Sequence, residues 1–159
     1  MKITKQFLLN EDYDDYENPH NLQYKFLSDV YNLSREKNGL NKFESNWEYL
    51  YKKSDMELPD SEGDTALMLS INSLCSDIAK FLVEKGADVN AVNKNKHTPL
   101  FLAVFSDDFD LVKFLVEKGA DVNAKNKEGK TAWELSKNSQ IGDDITEYLG
   151  KITNINKGD

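Results

Sequence analysis

Eleven consecutive residues, FLVEKGADVNA, occur twice in this chain, at Phe81–Ala91 and at Phe114–Ala124, 33 positions apart. Identity over that length means a duplicated structural unit. A fixed period of this size marks a stacked array, in which each unit buries its apolar face only against its neighbours. Three further segments keep the same phase: DSEGDTALMLS (Asp60–Ser70), NKNKHTPLFLA (Asn93–Ala103) and NKEGKTAWELS (Asn126–Ser136).

One unit follows from local chemistry. Each segment opens with a polar turn, then a threonine, then an apolar run. Thr65, Thr98 and Thr131 stand where a helix N-cap belongs, with hydroxyls able to accept orphan backbone N–H groups. Pro99 fits the first helical position, where its missing N–H costs nothing. Leu67, Leu69 and Ile71, then Leu100, Leu102, Ala103 and Val104, then Trp133 and Leu135 are expected on the core side of a short first helix. A second helix follows, with Ile78, Ala79, Phe81, Leu82 and Val83 in one copy and Leu111, Val112, Phe114, Leu115 and Val116 in the next. Gly86 and Gly119 are expected to end those helices in the left-handed conformation that glycine adopts cheaply.

At these residues the sequence resembles the ankyrin-repeat family, whose pattern runs roughly D-x-x-G-x-T-P-L-H-x-A, two helices, then L-L-x-x-G-A-D-V-N-A. TPLFLA at Thr98–Ala103 and the two FLVEKGADVNA segments carry the resemblance, which covers Asp60 to about Leu149. It implies an all-α, ankyrin-repeat solenoid of stacked antiparallel helix pairs with short hairpin loops, its units at about 59–91, 92–124 and 125–150. The third unit lacks a GADVN segment, as a C-terminal cap would, and residues 151–159 read as a frayed polar tail. Three departures stand out. The histidine after T-P-L is replaced by Met68, Phe101 and Glu134. The hairpin glycine, kept as Gly63 and Gly129, is Lys96 in the middle unit, which implies strain there if φ is positive. The small polar turn between helices is replaced by Leu74-Cys75 and Asp107-Asp108.

Before the array, helical periodicity predicts helices over 21–37 and 42–52, the second placing Trp47 in the core. One period back from the duplicated stretch lies EYLYKKSDMEL (Glu48–Leu58), in which Lys53 takes the glycine's place. Residues 21–58 therefore read as a degenerate first unit, a divergent helical N-terminal cap. Residues 1–20, with five acids among Glu11–Glu17, read as an acidic extension, either solvated or a hook for a basic partner.

The net charge of −8 argues against nucleic-acid binding, which needs clustered Lys and Arg. No segment approaches the roughly 20 apolar residues of a membrane span, and the N-terminal apolar run is too short for a signal peptide. With Cys75 the only cysteine, no intrachain disulfide forms, and a reducing cytoplasmic setting is expected. No catalytic, phosphate-binding or metal-ligand constellation occurs: His20 and His97 lie in predicted loops, so no enzyme activity, cofactor or metal is expected. The L-x5-D-V-N settings of Asn90 and Asn123 resemble sites used by asparaginyl hydroxylases, with polar satisfaction of the hairpin as the simpler reading.

The resemblance implies a monomeric, non-enzymatic module that binds a protein partner through its hairpin tips and the concave face of its first helices, and the acidity favours a basic or neutral partner. Carried over position by position, that strip holds Ser61, Glu62, Asp64, Asn72 and Ser73, then Lys94, Asn95, His97, Phe105 and Ser106, then Lys127, Glu128, Lys130, Asn138 and Ser139. Phe105 is either a binding anchor or packs on its neighbours. The alternative function is a dedicated inhibitor, an immunity or antitoxin protein that neutralises a basic toxin or enzyme one to one. Acidity and small size motivate it.

Overall fold

The computed structural model describes residues 57–137 and 141–155. The acidic extension, the two predicted N-terminal helices, Trp47 and His20 lie outside them. Six helices follow in order: α1 (Ala66–Asn72), α2 (Ser76–Glu84), α3 (Pro99–Phe105), α4 (Phe109–Glu117), α5 (Ala132–Ser136) and α6 (Asp143–Ile155). Among the described residues there is no strand, and the all-α reading holds.

The helices pair as α1 with α2, α3 with α4 and α5 with α6. The first helices then stack α1 on α3 on α5, and the second helices α2 on α4 on α6. Two layers result, with one continuous core between them. Leu67, Met68, Ile71, Ile78, Leu82, Leu100, Phe101, Leu111 and Leu115 are fully buried in it, each contributing about 1.5–3 kcal/mol of transfer free energy. Phe81 and Phe114 sit at its margin, half-buried. Each is covered by the lysine one turn on, with Lys85 Nζ 5.1 Å and Lys118 Nζ 5.4 Å from the ring centres. That explains why FLVEK is kept whole: its lysine roofs its phenylalanine.

The first helices each start after a threonine, and two of the three threonines cap with their hydroxyls. Thr65 accepts from Met68 N–H, and Thr131 forms a full capping box with Glu134. Thr98 also precedes its helix in extended conformation, but its hydroxyl makes no capping bond. It is buried without a hydrogen-bond partner among the described residues. At the equivalent places Met68 N–H donates to Thr65 Oγ1 at 3.5 Å, and Thr131 Oγ1 meets both the N–H and the carboxylate of Glu134.

Helix ends share one geometry. Gly86 N–H bonds to Val83 and Ala87 N–H to Leu82, and Gly119 and Ala120 repeat this on Val116 and Leu115. These are Schellman closures with glycine in the left-handed position, φ 96° and 94°. The first helices close identically, Leu74 on Ile71 with Cys75 on Ser70, and Asp107 on Val104 with Asp108 on Ala103. There the left-handed residue is Leu74 (φ 59°) or Asp107 (φ 54°), not glycine.

The C-terminus corrects the expected frayed tail. Helix α6 continues five residues past Gly150, to Ile155, and Thr153 is buried with its hydroxyl donating to Leu149 C=O at 2.8 Å. Ile145, Tyr148, Leu149 and Ile152 form one apolar stripe, and Tyr148 meets Phe109 edge-on at 5.7 Å. Gly150 is no stop. A Cβ there would come within 3.0 Å of Trp133 Nε1, so this glycine lets α6 approach the half-buried indole.

Candidate functional site

The expected site is a row of hairpins beside the first helices, and one side chain per unit shapes each hairpin. Asp60 Oδ1 accepts from the N–H groups of Glu62 (2.8 Å) and Asp64 (2.9 Å). Asn93 does the same for Asn95 and His97, and Asn126 for Glu128 and Lys130. Backbone bonds close each loop in the same register, Asp60 to Asp64, Asn93 to His97 and Asn126 to Lys130. A short side-chain oxygen that reaches N–H groups two and four residues on is the physical reason for Asp or Asn at these three places.

Neighbouring hairpins are then tied together. Lys94 N–H donates to Glu62 C=O at 3.0 Å, and Lys127 N–H to Asn95 C=O at 3.2 Å. Asn93 Nδ2 donates to Asp64 Oδ1 at 2.8 Å. Asn90 bridges units at the other end of the hairpin arm: its amide donates to Gly119 C=O at 3.0 Å and its Oδ1 accepts from Asp121 N–H at 2.8 Å. This is the polar satisfaction expected of it. One period earlier, Glu57 Oε1 accepts from Asp88 N–H at 2.9 Å. Glu57 thus makes for the first described unit the accepting half of what Asn90 makes for the second, although its residue type hides the correspondence.

The expected partner-binding residues differ in their surroundings. Ser61, Glu62, Lys94, Asn95, Lys127 and Glu128 are exposed on the hairpins. Asp64, Asn72 and Lys130 are engaged within the molecule: Asn72 Nδ2 donates to Asp64 Oδ2 at 3.2 Å, and Lys130 pairs with Glu128 at 3.1 Å. Ser73 and Ser106 are half-buried helix C-caps, the Ser106 hydroxyl donating to Leu102 C=O. Asn138 and Ser139 lie outside the described residues.

Phe105 packs on a neighbouring ring and still leaves half of its own surface open. Its ring meets His97 edge-on at 5.4 Å, yet 48% of the residue remains exposed. His97 in turn lies 5.6 Å from the buried Phe101 ring. Burial lowers the His97 pKa, while Asp64 and Glu128 pull it the other way. The neutral imidazole therefore backs Phe105 near neutral pH.

Residues on the opposite edge, where first helix turns into second, were not selected from the sequence. Leu74 is 73% exposed there, and Asp107 accepts from Gly142 N–H at 2.8 Å. The available signal was an apolar residue where the repeat carries a small polar one. Cys75, beside Leu74, is half-buried, and burial pushes its thiol pKa up, opposed by the Ile78 N–H and reinforced by Asp77. A raised pKa suits a packing residue and not a nucleophile. Among the described residues no group of His, Cys, Asp and Glu is placed to hold a metal ion, and no helix is long and apolar enough to cross a membrane.

Comparison with known proteins agrees with this geometry. A family model described as ankyrin repeats (3 copies) matches residues 38–126. Among curated proteins none matches the chain. The matched span takes in the first two described helix pairs and begins before Glu57, while α5 and α6 continue the stack beyond it. With more than half of its residues inside that match, the chain belongs to the ankyrin-repeat family.

Proposed function

We propose that the protein is a non-enzymatic interaction module that takes a protein partner across its hairpin tips and the exposed side of its first helices. The observation that carries this reading is Phe105. An aromatic ring half exposed on the first-helix face, and held on its other side by His97, loses little conformational freedom when a partner covers it. Lys94, Asn95, Lys127 and Glu128 stand exposed on the adjoining hairpins and supply polar rim contacts of both signs.

The test is capture from the source cells with wild-type bait and with Phe105→Ala, followed by reconstitution with the purified partner. Phe105→Ala is expected to keep the melting curve close to wild type and to weaken binding by about 2 kcal/mol, roughly thirtyfold. A partner held equally well by both baits removes Phe105, and this face with it, from the reading. The inhibitor alternative draws on the net charge of −8. A captured enzyme whose turnover falls one to one on binding would select it.

A further inference from the structure

The edge opposite the hairpins carries a charge pattern of its own. Residues 73–77, 106–110 and 141–144 hold Asp77, Asp107, Asp108, Asp110, Asp143 and Asp144, and no Lys or Arg. The fold joins these three turns into one strip. The Ser76 hydroxyl bonds to Asp108 Oδ2 across the first two pairs, and Gly142 N–H donates to Asp107 Oδ1 across the second and third. These donors are neutral, so they orient the carboxylates without cancelling their charge. Lys113 offsets part of it, pairing with Asp110 at 3.2 Å while lying over the Phe109 ring.

Within the strip lies a cavity of about 440 Å³. Ile71 and Leu111 form its floor, Leu74 and Phe109 stand beside it, and Asp107, Asp108 and Asp110 rim it. Among the described residues Leu74 is the most exposed of the large apolar side chains, at 73%. The hairpin tips contrast with this edge: residues 60–64, 93–97 and 126–130 hold Asp60, Glu62, Asp64 and Glu128 against Lys94, Lys96, Lys127 and Lys130, which cancel.

We propose that this turn edge is a second docking surface, for a basic protein segment that seats an apolar side chain in the cavity beside Leu74 with Lys or Arg on either side. Charge complementarity selects the occupant. An acidic strip repels phosphate, so nucleic acid and anionic lipid are disfavoured, and the apolar floor of the cavity adds nothing for a purely ionic ligand. The surface is independent of the hairpin reading, and either can stand without the other.

The experiment is an NMR titration of the full-length, isotope-labelled protein with a short synthetic peptide carrying Leu-Phe between pairs of arginines. Saturable shifts are expected at amides of residues 74–77, 106–111 and 141–144, and they weaken as ionic strength rises. Leu74→Ser, at an exposed site, and the pair Asp107→Asn with Asp110→Asn, which keeps an acceptor for Gly142 N–H, are each expected to weaken binding about tenfold. A control peptide with Ser-Ser at its centre should bind at least tenfold less tightly. Equal binding of the control, shifts centred on the hairpins, or no saturation would each overturn the proposal.

Discussion

The two edges of the array close their helices with the same hydrogen bonds and different residues. On the hairpin side the second helices end at Gly86 and Gly119, and the loops are shaped by Asp60, Asn93 and Asn126 in identical roles. On the turn side the same closure forces Leu74 and Asp107 into left-handed backbone. An ordinary residue pays about 1–2 kcal/mol for that conformation, and glycine almost none. The hairpin edge thus repeats with little strain except at Lys96, which holds φ 58° in the middle hairpin, and each loop rests on the next. The turn edge keeps the backbone and leaves residue identity free, and there the charge and the exposed leucine collect.

The largest expected effect tests whether hairpins rest on one another. Gly63 and Gly129 occupy equivalent positions with φ 86° and 76°, so alanine is strained at both. At Gly63 a Cβ would also fall 2.9 Å from the backbone nitrogen of Lys94, whereas at Gly129 nothing lies within 4 Å. Gly63→Ala should cost about 3 kcal/mol and Gly129→Ala about 1 kcal/mol, read as midpoints in urea denaturation. Equal losses would mean that the hairpin contact adds nothing beyond local strain.

A smaller effect separates strain from compensation. Leu74→Gly relieves the left-handed penalty and loses little packing, while the freer unfolded chain takes back part of the gain. The net should be about 0.5 kcal/mol of stabilisation. Lys96→Gly, at φ 58° in the middle hairpin, should match it. Asp107→Gly should instead destabilise by about 1 kcal/mol, because it removes the acceptor for Gly142 N–H. Thermal melts of the three variants rank them. A gain at Asp107 equal to that at Leu74 would show that the bond between turns contributes nothing.

What could be read from the sequence divides along the same line. The period of 33 exposed the glycine stops, the cap threonines and Pro99, because each is dictated by its own backbone position. Features that depend on a neighbour were hidden. Thr98 looks like its two counterparts, and only the partners that reach the hydroxyl, a backbone N–H at Thr65 and Glu134 at Thr131, tell them apart. Gly150 looks like a stop until Trp133 is seen against it. Glu57 takes over the accepting half of Asn90's role with a longer side chain. The stripe at Ile145, Tyr148, Leu149 and Ile152 was legible at helical spacing, and the glycine within it concealed the continuation. Of the expected strip, exposure on the hairpins followed from their polarity, but the engagement of Asp64 with Asn72 and Asn93 needed three dimensions.

The smallest effect concerns protons, and it too distinguishes the edges. His97 is the one histidine among the described residues, and it stands on the hairpin face, whereas the turn edge carries none. Burial depresses the His97 pKa in the folded chain below its ordinary value near 6.5. As pH falls through that value, the unfolded chain takes up a proton more readily than the folded one, and stability is lost. Above it both states are neutral and the contribution is complete. Wild type should therefore lose stability relative to His97→Phe as pH is lowered from 7.5 to 5.5, while all other titrating groups are common to both chains. Denaturation midpoints at the two pH values measure the difference. A constant offset between the chains would mean that the imidazole behind Phe105 is solvated enough to titrate normally, and that its support for the ring does not depend on charge.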